Sequence, residues 1–425
     1  MGKIKAMLSR SRLMDTLINL KGNARACIYT EPMWGIPYNL YIPLMAKYMQ
    51  ALGLNALQIG IVATVNLLSQ MVSASFSGII TDKFGRRWTT AIVDLVCWSV
   101  PMLIWMNAQG FAWFLVAAFL NGTVRVVENS WGMLLVEDTP EKLLVSVYAF
   151  TSIAGLLAGF ATPLTSLLVG RFSLVSTMRG LLFFAFVLIT AKVVVLQLLT
   201  RETAQGSRRM AELKGKSIRH AMRGSFGVFG NMFKNCPLML VLCIMSCVMV
   251  IRSSMENFWP LLLTGRLGVR EQTLPLLAGL RSMGMLACFF LLAPRLNPRR
   301  FFRPMSLALV IMAGLQFLFF ILPPGAGWAV FPAVLAEALS LSLLIPLFSS
   351  LQMLLLDRAE RARMFGFSLA FCLLLTSPFG TINGLLSRAH LALPMLLSAC
   401  LAVAALFLLQ KLRASLDGKR LGEEA

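Results

Sequence analysis

Twelve stretches of about 20 apolar residues recur along the chain, near 24–46, 57–81, 88–106, 111–136, 143–169, 180–200, 237–263, 273–293, 303–322, 327–356, 364–386 and 391–411. Wound as a helix, a run of that length matches the hydrocarbon thickness of a bilayer. Apolar residues make up 58% of the chain and charged residues 13%, whereas a water-soluble domain carries about a quarter charged residues. Lipid is the solvent that tolerates so much exposed Leu, Phe, Met and Ala. The chain therefore reads as an all-α membrane protein with twelve transmembrane helices. Disorder, collagen-like repeats and secreted disulfide scaffolds are excluded.

The net charge of +21 would suit nucleic acid or anionic lipid, and its distribution decides between them. Most Lys and Arg fall on alternate loops and on the tails, which is the positive-inside bias. Both termini are then expected in the cytoplasm, with the chain multi-pass in the cell (inner) membrane. Membrane lipids, not nucleic acid, are the expected charged partners. The tail 1–23 carries Lys3, Lys5, Arg10, Arg12 and Lys21 without an apolar core, so it does not read as a cleaved signal. Residues 201–236 set eight basic residues against Glu202 and Glu212 and read as a cytoplasmic linker, partly an amphipathic helix on the inner leaflet. A cytoplasmic tail, 412–425, closes the chain.

The eight cysteines lie in or beside apolar runs, where no disulfide framework is expected. Cys243 and Cys247 are one turn apart, but the two histidines, His220 and His390, lie elsewhere, so packing is the expected role and no metal site is predicted. The sequence holds no His-Glu-x-x-His and no phosphate-binding Gly-x-x-x-x-Gly-Lys-Ser/Thr run. Neither an enzyme nor a cofactor is expected.

The linker separates two groups of six runs, expected as bundles over 24–200 and 237–411, and they resemble each other weakly. Asn39-Leu-Tyr-Ile-Pro43 in the first run resembles Asn257-Phe-Trp-Pro260 in the seventh, with Gly53 and Gly268 following at similar distances. Met133 to Asp138 resembles Met353 to Arg358, and Tyr148-Ala-Phe150 with Pro163 resembles Leu369-Ala-Phe371 with Pro378. Two such halves around a central site are the plan of a rocking transporter.

After the second run the chain reads Gly78-Ile-Ile-Thr-Asp82-Lys83-Phe84-Gly85-Arg86-Arg87. This resembles, at every position, the loop 2–3 signature of the major facilitator superfamily, Gly-x-x-x-Asp-Arg/Lys-x-Gly-Arg/Lys-Arg/Lys. The resemblance implies that family's fold, two pseudo-symmetric six-helix bundles, over nearly the whole chain. It also implies that Gly78, Asp82, Lys83, Gly85, Arg86 and Arg87 form a latch closing the cytoplasmic side while the outside is open. Gly78 is then expected to permit close helix packing and Gly85 a tight turn. Asp82 should face the start of helix 11 near Met364, and Arg86 and Arg87 should pair with Glu137, Asp138 or lipid phosphate. The second-half counterpart, 294–300, keeps basic residues but lacks the aspartate.

Nine charged residues fall inside the runs away from their ends: Glu31, Asp94, Arg125, Glu128, Lys192, Arg252, Glu256, Arg281 and Glu337. Each costs about 3 kcal/mol at the bilayer centre unless it faces a cavity or a partner. Arg125 with Glu128 and Arg252 with Glu256 have i,i+3 and i,i+4 spacings and read as local pairs. Lys192 reads as a snorkelling residue, and Asp94 and Arg281 as packing partners. Glu31, Glu128, Glu256 and Glu337 belong to helices 1, 4, 7 and 10, which the resemblance places around a central cavity. Glu31 and Glu337 have no arginine within one turn of their own helices and are the expected proton-coupling residues.

Helix 1 also carries Trp34, Tyr38, Tyr41 and Tyr48 on the face of Glu31, with Trp259 as a counterpart in helix 7. An aromatic wall beside a carboxylate suits a cationic or amphipathic small molecule, and an interfacial belt accounts for Tyr48 and Tyr29. Asn66, Ser69, Gln70 and Ser73 in helix 2 are expected to mediate helix packing. Gly155, Gly159 and Pro163 resemble the Gly/Pro pattern of antiporters, although the arginine common in helix 4 of drug–proton antiporters is replaced at Ala118-Phe-Leu-Asn-Gly122. The expectation is a monomeric, proton-coupled exporter of a hydrophobic or cationic compound. The alternative is uptake of a sugar, amino acid or other metabolite, and a non-transporting sensor ranks below both.

Overall fold

The computed structural model describes residues 20–214, 233, 235–292, 302–356 and 361–423. Among these, ten helices are long and apolar enough to cross a membrane. They are α2 (Ala56–Phe84), α3 (Arg86–Met106), α4 (Phe111–Val136), α5 (Ser146–Arg171), α6 (Leu174–Leu199), α7 (Cys236–Asn257), α9 (Phe302–Ile321), α10 (Gly327–Ser349), α11 (Met364–Ala389) and α12 (Leu393–Ser415). Two further helices, α1 (Gly22–Tyr41) and α8 (Thr273–Leu292), stand where the first and eighth runs were read. The boundaries shift at two places: α6 begins at Leu174 because Ser173 caps it, and the last helix continues to Glu423 without a break. The second-half basic loop, 294–300, lies outside the described residues.

Large apolar side chains stand exposed along the bundle, including Leu167, Leu198 and Phe407. Together with the helix lengths they make the chain an integral, multi-pass membrane protein.

Helix packing repeats with a shift of six. In the first half α1 packs on α5 and α6, α2 on α4, and α3 on α4 and α6; in the second, α7 packs on α11 and α12, α8 on α10, and α9 on α10 and α12. The repeat extends to single atoms. Asn39 Nδ2 donates to the Gly35 carbonyl and Asn257 Nδ2 to that of Ser253, both at 2.8 Å, just before α1 and α7 break at Pro43 and Pro260. Gly53 and Gly268 then turn the chain with φ of +88° and +71°, a region that favours glycine.

Loops carrying Arg86, Asp138 and the linker lie on one face, the basic face. Those carrying Asn55, Gly110 and Glu271 lie on the other. The halves meet along α2 with α11 and α5 with α8, and glycines make both contacts close. A Cβ on Gly380 would stand 2.6 Å from the Thr64 hydroxyl and 2.8 Å from the Gly60 carbonyl oxygen, and one on Gly384 would stand 2.8 Å from the Ala56 carbonyl oxygen. Across α5 and α8, a Cβ on Gly279 would stand 2.6 Å from the Thr162 hydroxyl. Thr64 donates to the Ser377 carbonyl and shares a 2.9 Å hydrogen bond with Thr381. Ser166 donates to the Gln272 carbonyl, and Lys47 pairs with Glu271 at 3.3 Å. These contacts run from the middle of the bundle to the face opposite the basic one and seal that face.

Leucine at Gly380 is expected to hold α2 and α11 apart there. A cysteine at Thr64 in a cysteine-free background should then react with an impermeant maleimide that wild-type packing excludes; equal labelling with and without Gly380→Leu would refute the seal.

Candidate functional site

The sequence singled out one carboxylate group from four helices, and the structure divides it. Glu128 and Glu256 lie near Tyr38 of α1 together with Arg252 and Arg281, close enough for these charges to act on its hydroxyl, and Glu337 adjoins the same group through Arg281, Arg252 and Glu256. Glu31 does not join them. It stands with Lys192 of α6 and Asp94 of α3 in the first half.

Around Tyr38 the charges pair. Arg125 NH1 meets Glu128 Oε2 at 2.5 Å while its Nε donates to Gln70, and Arg252 meets Glu256 at 3.5 Å. Both local pairs read from spacing are therefore present. Arg281, read as a packing residue, instead pairs with Glu337 at 3.5 Å across α8 and α10; the partner came from another helix, which spacing along one helix does not show. Glu337 is buried, and its Oε2 has no partner. Arg252, Glu256 and Glu128 have side chains about half exposed although they stand inside apolar runs. They line an open cleft between the halves, and because the opposite face is sealed, the cleft opens toward the basic face.

One wall of the cleft is aromatic. Trp34 stacks on Tyr38 at 4.9 Å, Trp98 meets their edges at 5.4 and 5.7 Å, and Tyr41 touches Tyr38 at 5.8 Å and Trp105 at 6.4 Å. Trp98 and Trp105 were not singled out in the sequence, although their spacing of seven on one helix face was a usable signal. Trp34 Nε1, Tyr41 OH and Trp259 Nε1 are buried without hydrogen-bond partners. Trp259 packs on Phe319 at 5.9 Å. Tyr48 does not belong to an interfacial belt: it is fully buried on Phe114 and donates to the Trp105 carbonyl at 2.8 Å. Tyr29 is exposed under Arg25, as a belt residue would be. Lys192 does not snorkel either, being buried against Asp94.

The polar residues of α2 serve packing, as expected. Asn66, Ser69 and Ser73 donate to the carbonyls of Ala118, Phe119 and Gly122, where α4 breaks at Gly122.

On the basic face Arg86 is the centre of a clamp. It pairs with Asp82 at 2.9 Å and with Glu137 at 3.0 Å. The carboxylate of Glu202, from the linker, accepts from the backbone N–H of Arg86 at 2.9 Å and of Arg87 at 3.0 Å. It thereby caps the N-terminus of α3, where partial positive charge gathers. Thr203 donates to Glu137 and caps the linker helix, Ala204–Leu213. Asn23 of α1 holds the Arg201 backbone on both sides, at 2.9 and 3.0 Å. Gly85 turns with φ +83°, and a Cβ there would stand 2.6 Å from Glu202 Oε2. Gly78, expected at a close helix contact, has open space at its Cβ position. The residues just before Met364, expected opposite Asp82, include 357–360, which lie outside the described residues.

Comparison with known proteins agrees with this arrangement. The model of the Major Facilitator Superfamily matches residues 34–381. A variant of the nucleoside transporter NupG superposes with a TM-score of 0.70 at 12% identity, covering 92% of this chain and 100% of its own. A D-xylose–proton symporter gives 0.69 at 13%, covering 91% and 96%, and a variant of the peptide transporter POT with sulfate gives 0.68 at 16%, covering 92% and 93%. At such identities the likeness is one of fold. No curated protein matches the chain.

Glu202→Ala removes three backbone hydrogen bonds to a charged acceptor, from Arg86, Arg87 and Thr203, each worth about 1.5–3 kcal/mol, and is expected to lower the thermal midpoint of the purified protein. Gly206→Ala should do the same, because its Cβ would overlap Glu202 Oε1. The double variant should lose less than the sum; strict additivity would show that Gly206 is not there to admit Glu202.

Proposed function

The chain belongs to the major facilitator superfamily of transporters, and on that premise we propose that it exports a cationic or amphipathic small molecule by proton-coupled alternating access. The reading rests on one observation: the Trp34–Tyr38–Trp98 wall adjoins half-exposed carboxylates from both halves, Glu128 and Glu256. An organic cation gains about 0.5–2 kcal/mol from each ring face. It also replaces an arginine as the partner of either carboxylate. Because the two acids belong to different halves, a bound cation bridges them and favours closure around itself.

The bundles 24–200 and 237–411 are the moving bodies, and 201–236 joins them in the cytoplasm. The positive-inside bias makes the basic face cytoplasmic and puts both termini there, in the cell (inner) membrane. The cleft is then open to the inside, as loading for export requires. Arg86 keeps its pairs with Asp82 and Glu137 while the cleft is open, so these contacts within the first half are not confined to one state; the latch of Asp82, Gly85 and Arg86 is proposed to act in the opposite state through contacts with the second half. Gly155, Gly159 and Pro163, resembling the antiporter pattern, support export, and Gly159 closes on Ser282 of α8. Proton coupling draws support from the unpaired oxygen of Glu337 and from Glu31. One structural neighbour is itself named a proton symporter. The protein is proposed to work as a monomer.

The two arginines facing Tyr38, Arg252 and Arg281, favour a second reading, uptake of a zwitterionic metabolite such as an amino acid. A thermal-shift screen of organic cations against amino acids and sugars separates the two, and vesicle flux under an imposed pH gradient then tests direction. For export, Glu256→Gln and Trp34→Ala should each weaken cation binding by about tenfold, since 1.4 kcal/mol is a factor of ten. Stabilisation by amino acids alone would overturn the cationic reading.

Gradient-driven flux should also fall in Asp82→Asn and Gly85→Val while binding is retained. Full flux in both would remove the latch.

A further inference from the structure

The charge count differs between the two clusters inside the membrane. In the cleft, Arg125, Arg252 and Arg281 face Glu128, Glu256 and Glu337, and the set is neutral with every acid paired. Within the first half, Lys192 is the cation beside both Asp94 and Glu31. Fully ionised, that cluster carries one surplus negative charge inside the membrane span, where an unpaired ion is costly.

We propose that the Glu31–Asp94–Lys192 cluster holds one exchangeable proton, carried by one or other of its two carboxylates, and that this is the proton-carrying site of the transporter. The inference rests on the proton-coupled reading above and assigns its site to the first half, away from Glu337.

The geometry supplies the place for the proton. Lys192 Nζ stands 3.3 Å from Asp94 Oδ2 with side chains 5% and 1% exposed, so one carboxylate and one ammonium satisfy each other. Asp94 Oδ1 is buried with no partner. Glu31 forms none of the described ion pairs or hydrogen bonds, and the one cation beside it, Lys192, is already paired with Asp94. Asp94 also precedes a π-turn, Leu95–Ser99, a local widening of the helix that recurs at functional sites.

Other charges do not relieve the surplus. Arg125 and Glu128 of α4 pair with each other. Arg87 lines the same small void as Asp94 but donates to the Gln197 carbonyl. From α5, Tyr148 is exposed, and Cys27 on α1 itself is a neutral thiol neighbour. A metal cation is a poor alternative occupant. It needs a shell of oxygens, whereas the void beside Asp94 has no room for a water molecule and Lys192 already holds one carboxylate. Among the described residues no group of three or more metal-binding side chains occurs.

Access runs through the cleft. Glu31 lies one turn before Trp34 on the same face of α1 and keeps partial exposure. Protonation adds one hydrogen to a carboxylate oxygen, and no other bond changes. The deprotonated cluster is tolerable only while water reaches Glu31, so proton release is tied to an open cleft.

The test reads protonated carboxyl groups by infrared spectroscopy on purified full-length protein, without substrate or gradient. Wild type should show a carboxylic-acid C=O band that titrates with pH. Glu31→Gln and Asp94→Asn should each abolish it, because the remaining carboxylate then pairs with Lys192. Lys192→Met should enlarge it about twofold, since two carboxylates are left without a cation. Glu337→Gln, in the neutral cluster, should leave it unchanged. A band lost in Glu337→Gln, or kept in both Glu31→Gln and Asp94→Asn, overturns the assignment. Should Asp94→Asn fail to fold, Glu31→Gln and Lys192→Met decide between them. A protein with the expected band but pH-independent flux would keep the site and lose only the coupled-transport reading.

Discussion

Between Gly60 of α2 and Gly380 and Gly384 of α11 there is no space for a side chain, and the two backbones touch. In lipid the hydrophobic effect gives helices no reason to associate, so contact of this closeness, with its dispersion and threonine hydrogen bonds, is what holds two bundles together. The same device recurs at Gly159 and Gly279 between α5 and α8. Because both contacts lie from mid-bundle toward one face, they set where the halves pivot and which side is left open. The exposure of Glu128, Arg252 and Glu256 follows from that pivot.

Charge inside the membrane is arranged accordingly. Where the halves part, acids and arginines stand as three pairs, and the acids of two of them, Glu128 and Glu256, are half exposed. Where the first half is solid, the Lys192–Asp94 pair is dry. The aromatic wall of Trp34, Tyr38 and Trp98 lies between these environments. It excludes water from one side while offering ring faces to the other.

The basic face follows a different logic. There Arg86 and Glu202 tie the start of the linker to α3 and to the end of α4, so the linker leaves the first half as an extension of it. Gly85 and Gly206 are needed because the Glu202 carboxylate occupies the volume a β-carbon would take.

Much of this was legible in the residues alone. Apolar runs of bilayer length are set by composition, and each falls on a helix among the described residues, ten of them long and apolar enough to span, because a helix in lipid must satisfy its own backbone whatever surrounds it. The Asn–Pro repeat, the loop 2–3 motif and the pairs Arg125–Glu128 and Arg252–Glu256 are local, and local spacing determines them. Tertiary packing alone decided the rest. It gave Glu337 its arginine from α8 and Glu31 its neighbours from α3 and α6. It buried Tyr48 and Lys192, and brought Trp98 and Trp105 to the wall of helix 1. Each of these joins residues on different helices, and their rotation and depth depend on how neighbouring helices pack, which a period of 3.6 along one helix does not encode.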